Sequence, residues 1–452
     1  MVPSRSNSSS PHFMWLCADF ALVAERLDAD YFVHAPRERG RWVRIDSMDG
    51  RIEEGLREVS VEVLPGMMAP PSVPTYRPLH IKSMTVIPDE GHPESPIDHP
   101  QSVGPGDVVI SKFLPVRAAL VTQDTPRFPV DSNCVRIVGL EENVAFWVAA
   151  VMNHPTLREA WTRQAGSSRA LPRLGVRDIK SLRIPRVPSG AISLACDWLH
   201  FETQRSRALD RISRFREQVQ DLVRELAPPL PSDNQATFNP PELFDDVWLP
   251  RRIALRRWQQ QLETAHWTPL KPMITRNRDR LKKTPSWGCS ALRLSEADGD
   301  LTFDRSSPFL PEMPTSRFYD WRLRPYEVLL SLMGSSPKVV FNHQREEVDD
   351  VIVSDHWVRL HPVIGPGAVA LSLLTDEVRW QLQRSSSGFV QQFITHEDVA
   401  AIQIPILDHH VAVNISEKLC AVMEDFAEAN ERQQEIMTET NALIDEQLMG
   451  AA

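Results

Sequence analysis

The longest unbroken pattern of apolar and polar positions covers residues 191–227. It starts after Pro188-Ser189-Gly190, stops at Pro228-Pro229, and contains neither Pro nor Gly. Leu194, Trp198, Phe201, Ala208, Ile212, Phe215, Val219, Leu222 and Leu226 recur on a three-four beat, and Arg205 interrupts the seam. This heptad pattern predicts a long helix whose apolar edge needs another helix. At about 1.5 Å per residue it would reach roughly 55 Å, too long for the core of one compact domain. After Ile404-Pro405 the beat returns in Ile415, Leu419, Val422, Phe426, Ala429, Ile436 and Leu443, with Gln433 and Thr440 as polar seam positions. Each predicted helix follows a globular stretch of similar length.

Those two stretches are copies of each other. Gly106-Asp107-Val108-Val109-Ile110-Ser111 and Tyr326-Glu327-Val328-Leu329-Leu330-Ser331 lie 220 positions apart, and so do Arg183-Ile184-Pro185 and Gln403-Ile404-Pro405. Gly166-Ser167-Ser168 falls over Ser386-Ser387-Gly388, and Asp178-Ile179 over Asp398-Val399. With a small shift Val135-Arg136-Ile137 matches Val358-Arg359-Leu360, and near the front Asp30-Tyr31-Phe32 resembles Asp246-Val247-Trp248. An offset kept in order over such a span signals duplication. In the first copy, residues 41–63 and 79–87 carry the short alternation of strands, and residues 106–113 read as a strand entered by a Pro-Gly turn. Residues 144–164 read as a helix bending near Pro155, and residues 178–184 as a short strand or helix end. In the second copy, residues 371–383 replace the helix. Pro228, Pro229 and Pro231 mark the boundary, because proline blocks both helix and central strand.

Composition adds less. The 452 residues suggest two to four domains, and the net charge of −10 does not favour a generic nucleic-acid binder. With 37 Pro and only 18 Gly the chain suits short strands and stiff loops rather than a Gly-rich nucleotide fold. The five scattered cysteines have no metal spacing and an odd count, which points to a reducing cytoplasm. The apolar run over residues 13–24 is too short to span a membrane and follows a Ser-rich leader.

Charge collects locally. Arg251, Arg252, Arg256, Arg257, Lys271, Arg276, Arg278, Arg280, Lys282 and Lys283 face only Glu263 and Asp279 in the second half. Arg158, Arg163, Arg169, Arg173, Arg177, Lys180, Arg183 and Arg186 form a similar cluster in the first. Such clusters are ordinarily solvated faces. Two of them in a duplicated acidic chain point instead to phosphate, since neutralising phosphates releases counterions. Acidity loads the last helix, which should avoid phosphate. Ser111, Lys112, Ser167, Ser168 and Arg169, with Ser335, Ser336, Lys338 and Ser385–Ser387, occupy related positions beside strand ends. They read equally as turn residues and as contacts to phosphates and base edges.

Catalytic motifs are scarce. Asn239-Pro240-Pro241-Glu242 resembles the Asn-Pro-Pro-aromatic motif of amino-methyltransferases but lacks the stacking aromatic and any preceding Gly-rich loop. Asp178-Ile179-Lys180 has the tail of a nuclease motif without an acidic partner, and His396, His409 and His410 lack a third ligand at metal spacing. No Walker loop, Gly-x-Ser-x-Gly elbow or Cys-x-x-Cys is present.

From residue 25 to 448 the chain resembles the specificity (S) subunits of type I restriction–modification systems. Glu25-Arg26-Leu27-Asp28-Ala29-Asp30-Tyr31-Phe32 is similar to the opening of their target-recognition domains. Gly106–Ser111 resembles the central strand, and Gly166-Ser167-Ser168, Asp178-Ile179 and Ile184-Pro185 resemble the closing signature. The second copy departs from the pattern: Tyr326-Glu327 stands for Gly-Asp, and Leu407-Asp408-His409-His410 lacks the usual Pro-Pro-x-x-Glu-Gln lead, as do residues 189–194. The departures suggest a divergent branch from a methylation-associated defence system. The resemblance implies an α+β fold: two mixed target-recognition domains, each followed by a long helix, with the helices pairing as an antiparallel coiled coil. The expected layout is a leader (1–12), a first domain (13–187), a spacer helix (188–227), a linker (228–236), a second domain (237–406) and a second spacer helix (407–448).

It further implies a non-catalytic, cofactor-free subunit that reads a bipartite target in double-stranded DNA. Two methyltransferase subunits would dock on its helices and supply S-adenosylmethionine chemistry, and motor-nuclease subunits would join for restriction. The family has no invariant base-reading residues to carry over. From the basic clusters and loops, the candidate DNA contacts are Lys112, Arg163, Ser167, Ser168, Arg169, Arg173, Arg276, Arg278, Lys282, Lys283, Lys338 and Ser386. Two rivals stand beside this reading: an adenine methyltransferase using Asn239-Pro240-Pro241, and a coiled-coil scaffold that binds no DNA.

Overall fold

The structure is a computed structural model of the chain. It describes residues 42–44, 61–67, 75–78, 81–82, 84–86, 102–113, 115–164, 173–231, 250–262, 265–275, 290–294, 297, 301–303, 318–320, 323–334, 337–346, 348, 351–386 and 392–449. The leader, the Asp30 and Asp246 repeats and Asn239-Pro240-Pro241 lie outside these residues. So do Ser167, Ser168, Arg169, Arg276, Arg278, Lys282, Lys283, Ser335, Ser336, Ser387 and most of the expected linker. The chain divides into two units, Met1–Thr203 with Ala429–Ala452, and Gln204–Glu428.

The first unit contains, in order, β1 (Trp42–Arg44), β2 (Glu62–Pro65), β3 (Ile81–Lys82), β4 (Thr85–Val86), β5 (Val108–Ser111), β6 (Ala118–Leu120) and β7 (Cys134–Val138). Then come α1 (Glu142–Asn153), α2 (Pro155–Gln164), α3 (Val176–Ser181), β8 (Arg183–Pro185) and the start of α4 (Ser189–Leu226). Its main sheet is antiparallel in the order β2-β7-β5-β6, with β1 on β8 and β3 on β4 as separate pairs. β5 reads as an unbroken apolar run because both of its faces are covered. Val108 and Ile110 join the core under α1, whereas Val109 joins a second core with Tyr76 and Phe128. The helix expected over residues 144–164 breaks rather than bends. His154 is extended (ψ 129°), and proline at 155 disfavours helical geometry in the residue before it.

The second unit contains the rest of α4, then α5 (Pro250–Leu262), β9 (Trp267–Pro269), β10 (Ile274–Thr275), β11 (Ser290–Leu292), β12 (Phe318–Asp320), β13 (Val328–Ser331) and β14 (Val339–Phe341). β15 (Val351–Ser354), β16 (Trp357–Leu360), α6 (Pro366–Ser372), α7 (Asp376–Ser385), α8 (His396–Ala401), β17 (Gln403–Pro405) and α9 (His409–Met449) follow. Its main sheet, β10-β16-β13-β14, repeats the order and antiparallel sense of the first, and β9-β17 repeats β1-β8. The alternation also repeats: Val328 and Leu330 face the helix side, Leu329 the other. The continuous helix expected over residues 371–383 is two helices. Thr375, fully buried, donates its hydroxyl to the Ser372 carbonyl at 2.7 Å, turns extended and starts α7. A third sheet, β11-β15-β12, has a parallel β11–β15 pair.

The two long helices pair within each unit. In the first, Ala191, Ala195 and Trp198 share a core with Ile436 and Ile444, and Gln433 donates to buried Glu202 at 2.7 Å. In the second, Ala208, Ile212 and Val219 share a core with Ile415, Leu419 and Val422, and Arg211 meets Asp425 at 2.7 Å. In the first unit the start of α4 thus meets the end of α9, and in the second the end of α4 meets the start of α9. The pairing is antiparallel. α4 holds 38 residues and α9 holds 41. No described helix is long and apolar enough to cross a membrane.

Candidate nucleic-acid interface

The central strand of each copy is entered by one turn, built twice. In the first, Asp107 accepts the Gly104 N–H at 2.9 Å and pairs with Arg136 at 3.6 Å, while Arg136 also donates to the Ser102 carbonyl. In the second, Glu327 accepts the Arg324 N–H at 3.0 Å and takes a bidentate bond from Arg359 at 2.5 and 2.6 Å. The preceding residue is left-handed in both, Gly106 at φ 83° and Tyr326 at φ 59°. Tyr326-Glu327 therefore keeps the Gly-Asp turn; the longer carboxylate reaches further and makes the tighter pair. Burial raises the Asp107 carboxyl above its usual value, opposed by the Gly104 N–H and by Arg136.

At the far end of the strand a serine closes the next turn. Ser111 accepts the Arg117 N–H at 3.0 Å, and Ser331 accepts the Lys338 N–H at 2.7 Å. These bonds make Lys338 the counterpart of Arg117, and the counterpart of Lys112 is Leu332, as the offset of 220 places it. Lys112 and Leu332 each accept an N–H from the segment returning before the closing helix, Leu174 and Ile394, at 2.9 and 2.8 Å. The signal was visible in the sequence. A cation stands immediately before an apolar strand in Arg117-Ala118-Ala119-Leu120 and in Lys338-Val339-Val340-Phe341.

Of the candidate contacts, Arg173 is exposed and forms an isolated bridge with Phe113, beside exposed Arg177, Lys180 and Arg186. Lys112 is half-buried and donates to the Ser132 carbonyl at 2.6 Å. Burial lowers its ammonium pKa, Cys134 and Asp131 oppose that, and Arg173 reinforces it. Ser386 is buried and donates to the Gln383 carbonyl at 2.6 Å as the end of α7. Arg163 lies on α2, and nothing of its side chain is described. In the second unit, Arg256 and Lys271 are exposed on α5 and on the turn before β10. Asp178 accepts the Gly175 N–H at 2.8 Å at the start of α3, as Asp398 does with Thr395 at the start of α8. His409 and His410 are exposed at the start of α9, which Asp408 caps.

The second unit also carries an open cleft of about 910 Å³ between Arg324–Tyr326, His361–Val363 and the Val413–Glu424 face of α9. Its one thiol, Cys420, is pushed up to about 11 by burial and by Glu424 and Glu417, which makes it a poor nucleophile. Among the described residues no group of three His, Cys, Asp or Glu is placed to hold a metal ion.

No protein-family model matches the chain, and no curated protein matches it. Solved structures do. An S subunit of a type I restriction–modification system from M. genitalium is similar over 91% of this chain and 97% of its own, with 11% identity and a TM-score of 0.35. The HsdS subunit from Thermoanaerobacter tengcongensis is similar over 91% and 97%, with 13% identity and a TM-score of 0.26. A type I R-M system structure concerned with complex assembly and conformational transition is similar over 90% and 97%, with 14% identity and a TM-score of 0.24.

Proposed function

We propose that this chain is a DNA sequence-recognition subunit. Each unit reads one half of a split target in double-stranded DNA, and the paired helices dock two methyltransferase subunits that bring S-adenosylmethionine and the active site. The chain itself is non-catalytic and works in the cytoplasm, and a motor-nuclease subunit joins where the complex restricts. One observation carries this reading: the same sheet, entry turn and strand-end serine are built twice, joined to helices that pair antiparallel. A duplicated frame with different surface residues is what two readers of different half-sites require. Phosphate contacts from exposed cations such as Arg173, Arg177 and Lys180 would position the duplex, and loop side chains would read base edges.

A gel shift of mixed-sequence duplex DNA across a salt series tests the reading. Affinity should fall steeply with salt, at a slope of about 0.9 per phosphate contacted. Exchanging residues 13–187 for another such domain should alter one half-site and leave the other intact. A chain that binds no duplex at any salt, or an exchange that alters both half-sites, would overturn it. Adenosylmethionine binding by the isolated chain would favour the methyltransferase rival at Asn239-Pro240-Pro241 instead.

A further inference from the structure

We infer that Lys338 is a positioning residue, which holds the stretch that follows β11 in place rather than contacting phosphate; this rests on the DNA-recognition reading above. Its ammonium donates to the Leu294 carbonyl at 2.8 Å and to the Ala297 carbonyl at 2.6 Å. Its own N–H is fixed on Ser331 at 2.7 Å, so the side chain leaves from a pinned backbone. An ammonium has three donors, and at least two of these point inward.

What it clamps gives it meaning. In sequence, Arg276, Arg278, Lys282 and Lys283 lead into β11, and β11 runs directly into residues 293–297. Ala297 bridges Phe303, and Leu301 bridges Val340 of β14, so the clamped stretch returns to the strand that Lys338 opens. A charge-assisted bond to a main-chain carbonyl is stronger than a neutral one, and two on one ammonium resist splaying of the loop. Lysine suits this task because its compact point charge can serve two carbonyls without a fixed fork geometry.

The test uses the full chain, mixed-sequence duplex DNA and the Lys338→Met variant. Affinity should drop roughly tenfold, the equivalent of one charged hydrogen-bond site, with the salt slope unchanged. Amide exchange over residues 290–303 should accelerate while the first unit stays protected. A phosphate-contacting lysine would instead lower the slope by about one, and that result overturns the inference. Unchanged exchange over residues 290–303 overturns it as well. Should Lys338→Met fail to fold, Lys338→Gln, which keeps a donor without the charge, is put to the same slope criterion. If the wild-type chain binds no duplex, the recognition reading fails, and the exchange measurement alone decides whether Lys338 is a clamp.

Discussion

The two units share a frame and differ in what they hang on it. Both lay their main sheet in the same order and close the central strand on a serine. The first enters that strand with Gly106 and Asp107, the second with Tyr326 and Glu327. The first has exposed Arg177 and Lys180 on α3, where the second has Glu397 and Ala400 on α8. Backbone geometry is therefore kept under substitution where hydrogen bonds define it, while surface charge differs between the copies. A left-handed tyrosine costs about 1–2 kcal/mol relative to glycine, and the bidentate Glu327–Arg359 pair gives the second turn what it needs to hold it.

The largest test of that contrast is to remove the carboxylate from each turn. Glu327→Ala removes the bidentate partner of buried Arg359 and should cost about 3–5 kcal/mol in chemical denaturation. Asp107→Ala, which loses a longer pair and one N–H cap, should cost about 1–3 kcal/mol. Equal costs would mean the second turn is not the tighter one. Next comes Gly367, where α6 crosses α9 so closely that an added Cβ would lie 3.0 Å from the Ser416 Cα. Gly367→Ala should cost about 1–3 kcal/mol as local overpacking and should destabilise the second unit selectively, as read by amide exchange.

A third comparison concerns the helix seam of the first unit. Gln433→Ala removes the hydrogen bond that Gln433 gives to Glu202, which is 4% exposed, and should cost about 1–3 kcal/mol. Replacing both residues by leucine should recover most of that loss, since a buried polar pair contributes register more than stability. The smallest effect is set by pH. His154, between α1 and α2, meets Asp445 of α9 at 3.4 Å, and its Nδ1 has no hydrogen-bond partner. Burial lowers its pKa, with Asp445 opposing. The fold thus favours the neutral ring: this contribution is complete above the unfolded value near 6.5 and is lost as pH falls through the lowered folded value. His154→Gln should flatten the stability–pH curve in that window, and an unchanged curve would remove His154 from the account.

Much of this was legible because it is periodic or local. Heptad spacing exposed both long helices, α4 and α9, since one buried edge on a helix repeats in sequence. Repetition at offset 220 exposed the duplication because an apolar strand ending in serine and the same Ile-Pro stop were reused. Pro155 marked the interruption at His154, whereas the break at Thr375 was harder to place, since a hydrophobic pattern continues across a helix break when both pieces face one core.

The sequence by itself determined the elements, their duplication and the need of each long helix for a partner, because those follow from side-chain periodicity along one chain. Only the tertiary structure decided the roles of the polar residues. Lys112 and Lys338 read in sequence equally as turn residues and as phosphate contacts, and both donate to main-chain carbonyls; Asp178 carries the tail of a nuclease motif and caps a helix; Tyr326 stands where glycine is expected and keeps the turn. The reason is physical: burying an apolar side chain needs no particular partner and so leaves a pattern, whereas a polar group is assigned by whichever atom stands within hydrogen-bond reach, and that atom comes from a remote part of the chain.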